Sequence, residues 1–181
     1  MIVSSVISNP LAPPSVLFCP QGLQNLGLPT RFLQPPSIQK IKHGDIEEQL
    51  KLFPDCPDLL WIQGLLYERE RRIHQMANVL DELRDTDQQP VRANRATNQI
   101  IRDIVENEKG WLVDINQLVR DVGKGIEPSG IFEDAVHLRP AGQKVLAYAI
   151  APVLAKALEI PSPSVPTVHQ TIVQSGAILP N

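Results

Sequence analysis

Asp134 and His137 stand three residues apart in FEDAVHLRPAGQKVLAYAI, residues 132 to 150, ahead of Pro140, Gly142 and an apolar run. On a tight loop that spacing brings a carboxylate beside an imidazole. The carboxylate accepts the proton of one ring nitrogen, which fixes the tautomer and stabilises the imidazolium, and the other nitrogen becomes a general base. Such a pair supplies two of the three parts of a nucleophile, base and orienting acid. The third part is not readable, because Ser4, Ser5, Ser8, Ser15, Ser37 and Ser129 each lack a glycine-bearing elbow. Asn9, just before Pro10, reads as a turn former, with an oxyanion donor as the competing reading.

Other ligand types are scattered. His43, His74 and His169 fall on separate segments with no helical pair at i and i+4, and Cys19 and Cys56 have neither C-x-x-C spacing nor a nearby ligand set. The expectation is therefore no metal, no cofactor and no disulfide framework. Trp61 and Trp111 occupy apolar positions and read as core.

The elements that must position the Asp and His belong to a chain of 181 residues, enough for one domain with a proper core. A net charge of −3 and a pI near 5.8 leave no electrostatic footprint for nucleic acid or an anionic membrane. The basic run Arg69-Glu70-Arg71-Arg72 is broken by a carboxylate and reads as a solvated helix face. No apolar run approaches the ~20 residues of a membrane span. MIVSSVISNPLAPPSVLF lacks a basic start and is interrupted by Pro10, Pro13 and Pro14, so it makes a poor signal peptide. The chain reads as soluble, and its compartment stays open.

Patterning divides the chain into four segments. Residues 1–44 hold the β-branched MIVSSVIS, expected as a buried parallel strand, and a Pro-rich irregular stretch. Residues 45–90 are helical: DIEEQLKLF with Asp45 as N-cap, then two amphipathic helices folded back near Arg71 to Ile73. Residues 91–160 carry NRATNQIIRDIVENEKG, a helix stopped by a left-handed Gly110, and then the strand WLVDI ending in Asp114. A short helix, a Gly- and Pro-bearing loop and a helix opened by Pro140 and bent at Pro152 complete that segment. Residues 161–181, rich in Pro, Ser and Thr, are expected to be mostly disordered.

The run from Gly110 to Leu158 resembles the C-terminal part of the SGNH or GDSL hydrolases, in which a strand ending in Asp precedes a variable loop, D-x-x-H-L, a glycine and a last helix. The matching positions are Val113-Asp114, Asp134, His137, Leu138, Gly142 and the Pro140 helix; Arg139 stands where asparagine is commoner. Leu60, Gly64, Tyr67, Ala77, Leu80 and Pro90 are similar to one tetratricopeptide unit, which a plain helical hairpin matches equally well, and one branch of that family joins such helices to an SGNH-like domain. The resemblance implies an α/β fold, a partial flavodoxin-like and mostly parallel sheet with flanking helices and a helical hairpin insertion. It implies Asp134 as acid, His137 as base, and an acyl-ester substrate such as an O-acetyl group on a glycan or lipid. The family's G-D-S serine has no counterpart: Gly44-Asp45 is followed by Ile46. The alternative is an inactive relative that meets protein partners through the hairpin.

Overall fold

The computed structural model of the chain describes residues 1–14, 19–28, 40–87 and 93–177. In chain order the elements are β1 (Ile2–Ser4), α1 (Pro20–Asn25), α2 (His43–Leu52), α3 (Pro57–Arg69), α4 (Ile73–Thr86), α5 (Arg95–Asn107), β2 (Trp111–Val113), α6 (Ile115–Val122), a 3-10 turn (Ser129–Ile131), α7 (Pro140–Ala157) and α8 (Val168–Gln174). They group into two compact units, Met1–Pro10 with Arg92–Asn181, and Leu11–Val91.

The expected α/β fold with a mostly parallel sheet is not what forms. The chain is mostly helical, and among the described residues its sheet is a single parallel pair, with Ile2, Val3 and Ser4 opposite Trp111, Leu112 and Val113. The reason lies in where the backbone polar groups go after Ser4. Ser5 N–H still reaches the Val113 carbonyl at 3.1 Å, but both polar groups of Val6 are taken by the side-chain amide of Asn98, at 2.8 and 2.9 Å. A buried amide on α5 thus does what a neighbouring strand would do, and the ladder stops.

In this unit α5 and α7 pack on the strand pair, and α8 packs on α6 and α7. Val113, Ile115, Val119, Ile131, Phe132 and Val145 form its core. The helix α5 ends through Lys109, not Gly110: Lys109 takes the positive φ of 49°, and Gly110 donates to the Val105 carbonyl at 2.8 Å. The 161–181 tail, expected to be mostly disordered, carries α8. Thr167 caps it by accepting from Gln170 N–H while the Gln170 side chain accepts from Thr167 N–H, and Ile172 is fully buried in the core.

The second unit is built on α3 and α4, joined by a turn over Glu70–Arg72 in which Arg71 has a φ of 58°. Gly64 lets the two helices close up, since a Cβ there would lie 2.4 Å from Leu80 Cδ2. Asp45 is not the N-cap of α2. It sits in the first turn, and its carboxylate accepts the backbone N–H of Lys42 at 3.1 Å. Trp61 is core, donating its indole N–H to the Leu11 carbonyl at 3.0 Å. The expectation of no disulfide is overturned: Cys19 and Cys56 are bonded, with Cα atoms 5.9 Å apart. Each cysteine is the N-cap of a helix whose first residue is proline, Pro20 or Pro57, and the packing of α1 against α3 brings these two helix starts together. Pro90, the last position of the tetratricopeptide-like pattern, lies outside the described residues.

Candidate functional site

The Asp134–His137 loop is closed at its base by backbone pairing. Phe132 and Leu138 form an antiparallel bridge, Glu133 N–H donates to the His137 carbonyl at 2.8 Å, and Arg139 N–H donates to the Ile131 carbonyl at 3.0 Å. Ile131 and Phe132 are buried, and each contributes on the order of 1.5–3 kcal/mol of apolar burial that holds the stem in place. Behind the stem, α7 begins at Pro140, whose missing N–H costs nothing in a first turn. Gly142 gives the stem room. A Cβ there would lie 2.4 Å from the Ile131 carbonyl oxygen and 2.9 Å from Leu138 Cδ2.

Within the loop, Asp134 Oδ1 accepts the backbone N–H groups of Val136 (2.9 Å) and His137 (2.8 Å). Its other oxygen, Oδ2, lies 2.8 Å from His137 Nδ1. The pairing expected from the spacing is therefore present, and it is fixed by the turn rather than by burial, since the side chains are 54% and 77% exposed. The His137 amide first, then the Val136 amide and the imidazole, hold the Asp134 carboxyl down at about 2. The carboxylate stays ionised, which assigns the Nδ1 proton to the bond with Asp134 and leaves Nε2 as the acceptor. Among the described residues no group donates to Nε2.

The serines are dispersed. Ser4 Oγ donates to the Ser5 carbonyl, and Ser5 Oγ donates to Asp114 and accepts from Asn116 N–H, each at 2.9 Å. Ser129 opens the 3-10 turn, and Ser15 and Ser37 lie outside the described residues. Ser8 is buried with an Oγ that makes no hydrogen bond among the described residues. Its neighbour Asn9 donates its backbone N–H to the Ala135 carbonyl at 2.9 Å, which ties the chain after β1 to the Asp134–His137 loop. The oxyanion reading of Asn9 gains this placement and nothing more. A cleft of about 370 Å³, lined by Ser129, Gly130, Arg139, Pro140, Ala141 and residues 175–177, borders the loop's stem.

His43 packs on Tyr67 with ring centroids 4.6 Å apart and has Nε2 3.0 Å from Glu70 Oε2, while His74 and His169 are exposed. Trp111, read as core, is only partly buried and carries Lys156 Nζ at 5.1 Å from its ring.

One polar network was missed in the sequence. Asp114 caps α6 through Gln117 N–H at 3.2 Å and accepts two hydrogen bonds from Arg102, at 2.7 and 3.2 Å. Burial pushes the Asp114 carboxyl up, but the bonds from Arg102, Ser5 and Gln117 outweigh it and hold it below the usual range. The signal was there in part, since a strand-ending Asp before NQLVRDV is an N-cap pattern, but its Arg partner twelve residues earlier carries no local mark. Among the described residues no helix is long and apolar enough to cross a membrane. No family model, curated protein or solved structure matches the chain.

Proposed function

We propose that the Asp134–His137 loop is the acid–base part of an acyl-ester hydrolase of the SGNH or GDSL kind. The observation that carries this reading is the 2.8 Å pair between Asp134 Oδ2 and His137 Nδ1, with Asp134 Oδ1 engaged by two backbone amides. In the reaction, His137 Nε2 takes the proton of an attacking hydroxyl, from a serine or from water, as that oxygen bonds to the ester carbonyl carbon. The imidazolium so formed then gives its proton to the leaving alkoxide. Asp134 remains a carboxylate throughout and stabilises the imidazolium. The nucleophile is left unassigned. The substrate class is an acyl ester, an O-acetyl group on a glycan or lipid among its forms.

A second reading has its own support. Without a G-D-S triplet in the sequence, an inactive scaffold that meets protein partners through the α3–α4 hairpin accounts for the same features.

The deciding assay is hydrolysis of an alkyl O-acetyl ester, whose poor leaving group keeps a merely exposed imidazole from cleaving it. His137→Ala and Asp134→Asn should each lower the rate by about a hundredfold or more. Equal rates in all three proteins would remove the catalytic reading and leave the scaffold.

A further inference from the structure

Beside the Cys19–Cys56 bond lies a carboxylate that the hydrolase reading does not use. Asp58, two residues after Cys56 in the first turn of α3, is 1% exposed, and its Oδ2 accepts the Cys19 N–H at 3.0 Å. The two Sγ atoms and a carboxylate oxygen of Asp58 all lie within 4.8 Å of one another. Two sulfurs and one carboxylate oxygen thus share one small cluster.

We propose that Cys19, Cys56 and Asp58 form a latent three-ligand site for Zn²⁺ or a comparable soft divalent cation, closed while the disulfide stands and opened by its reduction. Two thiolates and one carboxylate are donors that zinc takes in tetrahedral geometry, and three protein ligands leave the fourth position to water. Thiolates also select such a cation over Mg²⁺ or Ca²⁺, which prefer all-oxygen sets. Cys56 stands at the N-cap of the 13-residue α3, where the positive end of the helix dipole favours the thiolate form that a metal binds.

A phosphine reductant takes up the oxygen of one water molecule to become the phosphine oxide, supplies two electrons that cleave the S–S bond, and water's two protons convert the sulfurs to thiols. Metal binding then releases those two protons. The sulfurs must part to about 3.8 Å, the tetrahedral separation for metal–sulfur bonds of ~2.3 Å, and rotation about the two Cα–Cβ bonds supplies it. The Cα atoms, 5.9 Å apart, can stay where they are.

The test uses the full chain, reduced with tris(2-carboxyethyl)phosphine without oxygen and titrated with Co²⁺ as an optical probe. A near-ultraviolet thiolate-to-cobalt band should grow to saturation at one ion per chain and be bleached by Zn²⁺. The unreduced chain and the Cys19→Ser/Cys56→Ser double variant should show no band. Asp58→Asn keeps both thiols and should weaken binding at least about tenfold. Absence of the band in the reduced chain overturns the site. So does Asp58→Asn binding as tightly as the parent, which would make Asp58 a helix-terminal carboxylate and nothing else. A reduced chain that loses helicity by circular dichroism and does not regain it with metal also overturns it.

Discussion

Replacing Gly142 by Ala sets two physical effects against each other beneath the Asp134–His137 loop. Helix propensity favours Ala over Gly by at most about 1 kcal/mol, and less than that in a first turn. Packing opposes it, because the new Cβ would lie 2.4 Å from the Ile131 carbonyl oxygen, 2.9 Å from Leu138 Cδ2 and 3.1 Å from Leu138 Cβ. The nearest of these is backbone and cannot swing aside as a side-chain end can. It also accepts the Arg139 N–H that closes the loop's stem. Overpacking of this kind costs about 1–3 kcal/mol, and a weakened stem hydrogen bond adds about 0.5–1.5 kcal/mol. The net is a loss of roughly 0.5–4.5 kcal/mol. In a unit of about a hundred residues each kcal/mol moves the thermal midpoint by roughly 4–8 °C, so the midpoint should fall by at least about 2 °C. Thermal unfolding followed by circular dichroism measures it, and imidazole ¹⁵N shifts report in parallel whether His137 keeps its proton on Nδ1. A midpoint that is unchanged or raised would refute the packing argument, since propensity alone would then have decided the outcome.

Three further outcomes follow from other contacts. The Asp134 carboxyl should titrate near 2 instead of 3.8 in side-chain ¹³C spectra; because its folded value is the lower one, its contribution to stability is complete above about pH 4 and lost as the pH falls through about 2, and an ordinary midpoint would mean the turn does not form. Arg102→Ala removes two hydrogen bonds from the partly buried Asp114, so the carboxyl should rise and stability should fall by roughly 1–3 kcal/mol at neutral pH and by less in acid; an equal loss at both pH values would count against the ion pair. Cys56→Ser frees a stretch with a sequence separation of 37 and should lower the stability of the Leu11–Val91 unit by roughly 2–4 kcal/mol in urea, whereas an unchanged midpoint would show that the bond constrains nothing.

What could be read in advance was local. Periodicity marked α3 and α4, Pro140 marked the start of α7, and the apolar run after Gly110 marked β2, because each signal lies within one or two turns of the residues it orders. The extent of the sheet was not local. β1 stops because Asn98, 92 residues away, takes the polar groups of Val6, and no pattern in MIVSSVIS announces that partner. The disulfide, across a sequence separation of 37, was likewise not local, although Cys-Pro occurs twice, each time opening a helix. The helix α8 was overlooked for a different reason. Composition suggested disorder, while Thr167 and Gln170 already spelled a capping box ahead of Ile172 and outweighed it.

The same distinction explains why the proposed acid–base pair is legible and a nucleophile to go with it is not. Asp134 is held by the amides of Val136 and His137, two and three residues on, so the pair forms wherever the stem from Ile131 to Arg139 closes. Its geometry carries no information about a nucleophile, which has to reach Nε2 from another part of a fold. Asn9, tied to Ala135 through one backbone hydrogen bond, shows that a segment remote in sequence does approach the loop, and no motif in SSVISNP foretold it. The proposed acid–base pair is specified within four residues, whereas any nucleophile for it would be specified by tertiary packing. Each has to be tested by its own variant: His137→Ala probes the proposed base, and Ser8→Ala probes a buried serine directly before Asn9, whose backbone touches the loop.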